Sequence, residues 1–487
     1  MKKNSILMIA YEILGLIVPL LLTPYLSRKL GASGVGLYSY SYSICLYFVI
    51  FIQLGVKLYG KREIAKVNDN QKKFSTTFWE IWLIQLLLFF IVLFSYIVFI
   101  VLGVQDEATK KALTIQALEL LVGLFDISWF LFGLERFKSV VIRNIIVRLL
   151  EIILVFSLIH DYDDAFIYVF IMAISNLIGA LSMWLEVKKS TIFVHLEIKN
   201  IKKRIFPLLQ LFIPVLSTQI FSIVDKTIIG SVLDVKHVGY YENAYKIAKV
   251  PVVFVTAIGN VMMPRITKLI ADGKKSESQK YMRKSMSVVI MCTSAIAFGL
   301  SSVSDVFMPL YLGPGFDESV GLLSILAFML IFIGWGNVIR TQYMLPSGYD
   351  KIYTKSVVFA SLINILISLV AVRWFGTFGV AIASLLSEAL NCIYSTLKLR
   401  KELNVIPFLK DSLIFIVSGV IMYSSVYLLN KIIDLASVYK LIIEMCVGGG
   451  IYLAIVSLLG VKFKVINIKS EFKSVFSSII KRKKAQV

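Results

Sequence analysis

Runs of about twenty apolar residues recur along the whole chain, separated by short polar connections. A helix needs roughly 20 such residues to cross a bilayer. The runs cover approximately 6–27, 37–56, 77–103, 112–134, 140–159, 165–187, 207–231, 239–262, 285–311, 320–343, 354–374, 377–397, 411–430 and 438–461. This pattern predicts about fourteen transmembrane helices, an all-α polytopic membrane protein. The fifth run is the least regular, because Arg143, Arg148 and Glu151 interrupt it.

One stretch departs from the apolar background. Ser217, Thr218, Gln219, Ser222, Asp225 and Lys226 fall at spacings that place a polar stripe on one helical face. The following run opens with Gly239, Tyr240, Tyr241, Glu242, Asn243, Ala244, Tyr245, Lys246 and Ile247, echoing the segment from Gly36 to Ile44 at an offset of 203 residues. At that offset Leu30 matches Leu233, Val35 matches Val238 and Arg62 matches Arg265. Six runs precede the second copy. That even number gives both copies one orientation, so the repeat is parallel, with an axis along the membrane normal and the substrate path between the copies. The expected domains are a six-helix lobe at 1–187, an amphipathic basic linker at 188–206, a second six-helix lobe at 207–400, two added helices within 401–461, and a basic tail at 462–487.

Charge supplies an orientation. The chain carries 51 Lys and Arg against 30 Asp and Glu. With the N-terminus inside, cytoplasmic segments hold 39 of these cations and external ones 8, which predicts both termini cytoplasmic. That bias accounts for the basic balance without nucleic acid. At 58% hydrophobic and 17% charged, the composition excludes a soluble domain. Met1, Lys2 and Lys3 before an apolar run mimic a signal peptide, but Glu12 breaks the run and no cleavage site closes it, so a retained first span is expected. Cys45, Cys292, Cys392 and Cys446 lie inside spans and read as small lipid- or core-facing residues. His160, His195 and His237 are far apart in loops and give no metal signal. Gly448, Gly449 and Gly450 read as a close helix contact.

The candidate chemistry is ionic. Ionised residues inside a span cost about 2.5–3.5 kcal/mol each and normally face a cavity or a partner. Glu242, Lys246 and Lys249 follow at i, i+4 and i+7, and Thr256 and Asn260 continue the face. With Lys226 on the preceding span, these lysines predict a cationic cavity for an anionic substrate. Arg28 at the end of the first span is either an anion contact at the outer mouth or a snorkelling anchor. The first span also carries Glu12, Pro19, Thr23 and Pro24 on or near one face, with a bend expected at the prolines. Glu119 and Asp126, seven apart, have Arg148 as an available ion-pair partner. The alternative for them, and for Glu12, Asp225 and Glu388, is binding of a coupling H+ or Na+. No other cofactor and no metal is expected.

Several strings carry a family resemblance: Pro24 to Gly31 with Gly36-Leu37-Tyr38, Asp126 to Glu135, Val238 to Tyr241, and Gly379 to Ser384 with Glu388. In order and spacing they resemble the Wzx-type polysaccharide repeat-unit flippases of the multidrug/oligosaccharidyl-lipid/polysaccharide (MOP) exporter superfamily. The resemblance implies two six-helix lobes around a central cavity. It implies alternating-access transport of undecaprenyl-pyrophosphate-linked oligosaccharide from the inner to the outer leaflet of a bacterial plasma membrane, for capsular or O-antigen-like polysaccharide. It further implies contact with membrane lipids and a polymerase working nearby. Lipid II flippases of that superfamily also have two added helices that hold a lipid tail. A multidrug antiporter of the same superfamily would favour unpaired acids over the three lysines. A membrane polymerase or ligase would need a sizeable external loop, and no external connection exceeds about a dozen residues. The chain is therefore expected to be a transporter rather than an enzyme.

Overall fold

A computed structural model describes the backbone of residues 2–433 and 435–462; the side chains of 1–14, 16, 198, 213–215, 217, 218, 220–222 and 460–462 lie outside the description. Glu12, Ser217, Thr218 and Ser222 are therefore outside it too. The described residues form helices and no strand. In chain order these are α1 (Lys2–Gln53), α2 (Val56–Lys66), α3 (Gln71–Val98), α4 (Glu107–Phe125), α5 (Ser128–Gly133), α6 (Phe137–Leu158), α7 (Ala165–Ser182), α8 (Trp184–Ser190) and α9 (Ile198–Val232). They continue as α10 (Val235–Lys249), α11 (Val252–Ala271), α12 (Lys275–Leu312), α13 (Asp317–Leu326), α14 (Met329–Gly336), α15 (Asp350–Lys398), α16 (Ile406–Ile432) and α17 (Ser437–Lys462).

Ten helices among the described residues are long and apolar enough to cross a membrane. Two of them carry two expected spans each. Gly31 breaks α1 and Gly376 breaks α15, both at positive φ (64° and 56°), a conformation open to glycine but strained for a side chain. The bend expected at Pro19 and Pro24 is thus found at Gly31 instead. The prolines stay helical because their neighbourhood is satisfied. Pro24 has no N–H to give the Leu20 carbonyl, and the Tyr311 hydroxyl donates to that carbonyl at 2.5 Å. Thr23 Oγ1 donates to the Pro19 carbonyl at 2.7 Å.

The chain divides into two compact units. One holds Met1–Asn243, Tyr311–Ser319 and Val357–Ala383; the other holds Ala244–Leu310, Val320–Ser356 and Ser384–Val487. In the first, Trp129, Phe78 and Phe130 centre an aromatic core with Ile81, Leu208 and Phe212. In the second, Met282, Val289, Phe415, Met422 and Tyr452 pack α12, α16 and α17 together. Large apolar side chains also face outward, among them Phe90, Ile91 and Phe94 on α3 and Leu362, Leu366 and Trp374 on α15. Water would not support such faces, but lipid does. Serines inside the spans return their hydroxyls to the helix, as Ser41 does to Leu37 O and Ser43 to Ser39 O, both at 2.7 Å.

The 203-residue repeat shows itself in a reciprocal contact within the first unit. A Cβ built on Gly36 would lie 1.6 Å from Val235 O, and one built on Gly239 would lie 2.0 Å from Ala32 O. Gly36 corresponds to Gly239, and Ala32 to Val235. Each copy therefore presents the same two positions to the other, the pattern that a local two-fold axis generates.

Local sequence sets the helix ends. Asp106 caps α4, its Oδ2 accepting from Thr109 N at 2.7 Å, with Glu107 in the first turn. The side-chain and backbone hydrogen bonds from Thr109 hold the Asp106 carboxyl below its ordinary pKa. A depressed folded value means that this cap stabilises above the unfolded aspartate pKa and is lost as pH falls through the folded one. Asp106→Ala is expected to cost about 0.5–1 kcal/mol at neutral pH and less at pH 2, read from thermal midpoints of detergent-purified protein. An equal loss at both pH values would contradict the cap.

Of the three glycines at 448–450, only Gly448 meets a neighbour: its built Cβ lies 2.9 Å from Val426, while Gly449 and Gly450 have open space. The close helix contact expected from all three is a single-residue contact.

Candidate polar core within the spans

The hairpin of α9 and α10 brings together two residues from each helix. The Tyr241 hydroxyl donates to Asp225 Oδ2 at 2.6 Å, and Lys226 Nζ lies 3.1 Å from Glu242 Oε2. The Lys226 and Glu242 side chains are 12% and 9% exposed, so this is a buried ion pair flanked by a charged hydrogen bond. Next to them Asn243 is 1% exposed, and neither atom of its amide has a partner among the described residues. A buried amide without partners costs about 1–3 kcal/mol, the mark of a group held for a ligand or a moving neighbour.

Lys246 and Lys249 continue the stripe on α10 and belong to the second unit, half-buried, with Lys249 Nζ 5.1 Å from the Tyr245 ring centroid. The face expected to run unbroken to Asn260 stops here. The helix is interrupted at Val250 and Pro251, and Thr256 and Asn260 are exposed on α11. Proline lacks the N–H that would continue the ladder. Thr256 Oγ1 donates to Val253 O at 2.9 Å. Arg28 is exposed at the end of the first arm of α1, its stem against Gly313, an environment unlike that of buried Lys226.

The remaining carboxylates have partners other than those expected. Arg148 pairs with Glu151 at 2.5 Å, one helical turn away. Glu119 accepts from Asn176 Nδ2 at 2.8 Å. Asp126 lies outside the helices, between α4 and α5, where it accepts from Ser128 N at 3.1 Å and pairs with Lys57 at 3.1 Å. In the second unit Arg340 Nη2 donates to Glu388 Oε1 at 2.8 Å, the side chains 12% and 8% exposed.

Three ion-pair arginines escaped the sequence reading. Arg340 lies near the end of the tenth apolar run and sits on a π-helical turn at Asn337–Met344. Arg204 pairs with buried Glu80 at 2.6 Å. Arg283 grips Asp411 with both arms, Nε to Oδ2 at 2.6 Å and Nη2 to Oδ1 at 2.9 Å, fixing α16 to α12. A lone carboxylate in an apolar run, as at Glu80 and Asp411, was the available signal.

The second unit also contains an apolar cavity of about 550 Å³, lined by Ile331, Phe332, Trp335, Ile393, Leu413 and Ile416, with Lys410 among its few polar neighbours. No cluster of metal-ligating side chains occurs among the described residues.

Long broken helices, outward apolar faces and buried ion pairs define a polytopic membrane protein. The chain belongs to the polysaccharide biosynthesis protein family, whose model matches residues 1–270. It is 25% identical over 393 residues to a putative O-antigen transporter of Escherichia coli K12, covering 80% of this chain and 94% of that one. It is 24% identical to the capsular polysaccharide biosynthesis protein CapF of Staphylococcus aureus, covering 80% and 96%. Among solved structures it resembles the lipid II flippase MurJ in an inward closed conformation, with TM-score 0.74, 18% identity, and 95% and 100% of the two chains covered. A multidrug resistance MATE family transporter of the MOP superfamily, inward-facing, matches with TM-score 0.56 at 12% identity over 79% and 98%. The resemblance to Wzx-type flippases of that superfamily is thus borne out.

Proposed function

We propose that the protein flips undecaprenyl-pyrophosphate-linked oligosaccharide units from the inner to the outer leaflet of a bacterial plasma membrane, by alternating access, with both termini cytoplasmic. The observation that carries this reading is the buried Lys226–Glu242 pair beside Asp225–Tyr241 and the unpartnered Asn243 amide. Buried lysine charge is held in reserve by carboxylates, and a pyrophosphate competes for it. Lys246 and Lys249 extend the positive stripe along α10. The names of the relatives support the substrate class: O-antigen transporter, capsular polysaccharide biosynthesis protein and lipid II flippase. The apolar cavity next to α16 suits a prenyl chain, with Lys410 beside it for a headgroup phosphate. No step in this cycle makes or breaks a bond. A proton or Na+ on Glu119 or Asp225 is the natural coupling species, since both carboxylates are buried in spans.

The triple variant of Lys226, Lys246 and Lys249 to Gln is expected to reach the membrane and to export polysaccharide at least about tenfold more slowly, since charged hydrogen bonds contribute about 1.5–3 kcal/mol each. Lipid-linked oligosaccharide is then expected to accumulate on the inner leaflet, as is also expected on deletion of the gene. The Lys→Arg triple retains part of the activity. Parental export by a normally inserted Gln triple would make these lysines snorkelling anchors.

A further inference from the structure

We propose that a second, separate pocket, where α3 meets the start of α9, binds a phosphate group. A cavity of about 530 Å³ opens there, with Lys72, Lys73, Asn200, Lys203 and Arg204 in its wall. Its one carboxylate is Glu80, and Arg204 occupies it: Arg204 Nε donates to Glu80 Oε2 at 2.6 Å and Nη2 to Thr77 Oγ1 at 3.2 Å. Lys72, Lys73 and Lys203 have no carboxylate within 4.0 Å among the described residues. Lys72, Lys73 and Lys203 line one concavity, where their like charges repel and a concave wall focuses the field. The α3 dipole adds to it, because Lys72 and Lys73 sit in the first turn, behind the Asn70 cap. A phosphate relieves this repulsion and finds the Asn200 amide and the Thr76 and Thr77 hydroxyls in the same wall.

Scattered interfacial lysines normally point away from one another into water. Here hydrogen bonds hold the chain beside the pocket in place. Gln71 Nε2 donates to Ser190 O at 2.9 Å, Ser75 Oγ accepts from Ile192 N at 3.1 Å, and Trp79 Nε1 donates to Ile192 O at 3.2 Å. These bonds tie the connection after α8 to α3. The next residue, Phe193, is 91% exposed, with its ring centroid 5.2 Å from that of Trp79. Aromatic side chains of this kind are enriched at headgroup depth, which would bring a phospholipid phosphate within reach of the pocket. Basic pockets between membrane helices recognise anionic headgroups. The same chemistry also accepts a soluble phosphate compound. Either ligand would clamp the chain between α8 and α9 onto α3. Nothing in this proposal depends on Lys226, Lys246 or Lys249.

The test uses lipid-depleted, full-length protein in detergent. Binding of phosphatidylglycerol, phosphatidylcholine and inorganic pyrophosphate is measured by native mass spectrometry and thermal shift. The variants are K72Q/K73Q/K203Q, K72R/K73R/K203R and a control, K268Q/K274Q/K280Q, that removes equal charge from exposed positions elsewhere. The parent and the control are expected to bind phosphatidylglycerol in preference to phosphatidylcholine. The first variant weakens that binding at least about tenfold, and the arginine variant keeps it. Stabilisation by pyrophosphate but not by phosphatidylglycerol, lost in the same variant, assigns the pocket to a soluble phosphate. If the two Gln triples lose binding equally, or neither phosphate compound distinguishes parent from variant, the pocket is ordinary surface charge and the proposal falls.

Discussion

An alanine at Gly36 or at Gly239 is expected to lower stability and transport sharply, although alanine is the better helix former. Elsewhere in a helix this exchange stabilises by about 1 kcal/mol. At these two sites the built Cβ falls 1.6 Å from Val235 O and 2.0 Å from Ala32 O. Both obstacles are backbone, which cannot rotate away as a side chain does. The helices must separate, at a cost of about 1–3 kcal/mol or more for each overpacked contact. Neither glycine has a positive φ, so the requirement is closeness and not conformation. Reciprocity adds a second expectation. Once one alanine has forced the helices apart, the second costs little, so the double variant is clearly less than additive. Gly449→Ala, with open space around its built Cβ, is the neutral control. Thermal midpoints and polysaccharide export decide the matter. If both single variants match the parent in both readouts, α1 and α10 do not approach this closely in the working protein.

Glu388→Ala is expected to be the most damaging single change in the second unit. It leaves the Arg340 guanidinium buried in a span without its carboxylate, and breaking such a pair typically costs about 3–5 kcal/mol. Arg340 already has one nitrogen, Nη1, without a hydrogen-bond partner among the described residues, so it has no spare acceptor. Replacing both members by apolar residues of similar size removes the problem with the pair. Arg340→Met with Glu388→Leu is therefore expected to restore membrane protein levels and export close to parental. That outcome makes Glu388 structural. A double variant that folds and does not export would assign it to the coupling ion instead.

Much of this architecture is readable along the chain. Each apolar run falls on helix, and the matched glycines at 36 and 239 were visible as an echo of sequence. Their contact was not visible, because a repeat fixes correspondence and not proximity. The breaks at Gly31 and Gly376 were hidden for a related reason: apolar length marks where a span lies, but not whether the next begins after a loop or at a single φ. Ion-pair partners were the least legible feature. Glu119, Asp126 and Arg148 are near in sequence and were matched on that ground, whereas Asn176, Lys57 and Glu151 are their partners in space. A carboxylate inside a bilayer declares that it needs a partner; only the packing of helices says which. The face from Glu242 to Asn260 is interrupted at Pro251, whose missing N–H a pattern of polar spacings does not register.

The central claim is translocation of a pyrophosphate-linked, sugar-bearing lipid. Its most direct test is reconstitution of the purified protein into liposomes carrying undecaprenyl-pyrophosphate oligosaccharide. Exposure of the sugar on the outer leaflet is followed with a lectin after the initially exposed pool has been removed. Vesicles with the protein are expected to bring protected oligosaccharide to the outer leaflet steadily, while empty vesicles do not. Equal exposure in empty and protein-bearing vesicles, with the protein correctly folded and inserted, would contradict the account.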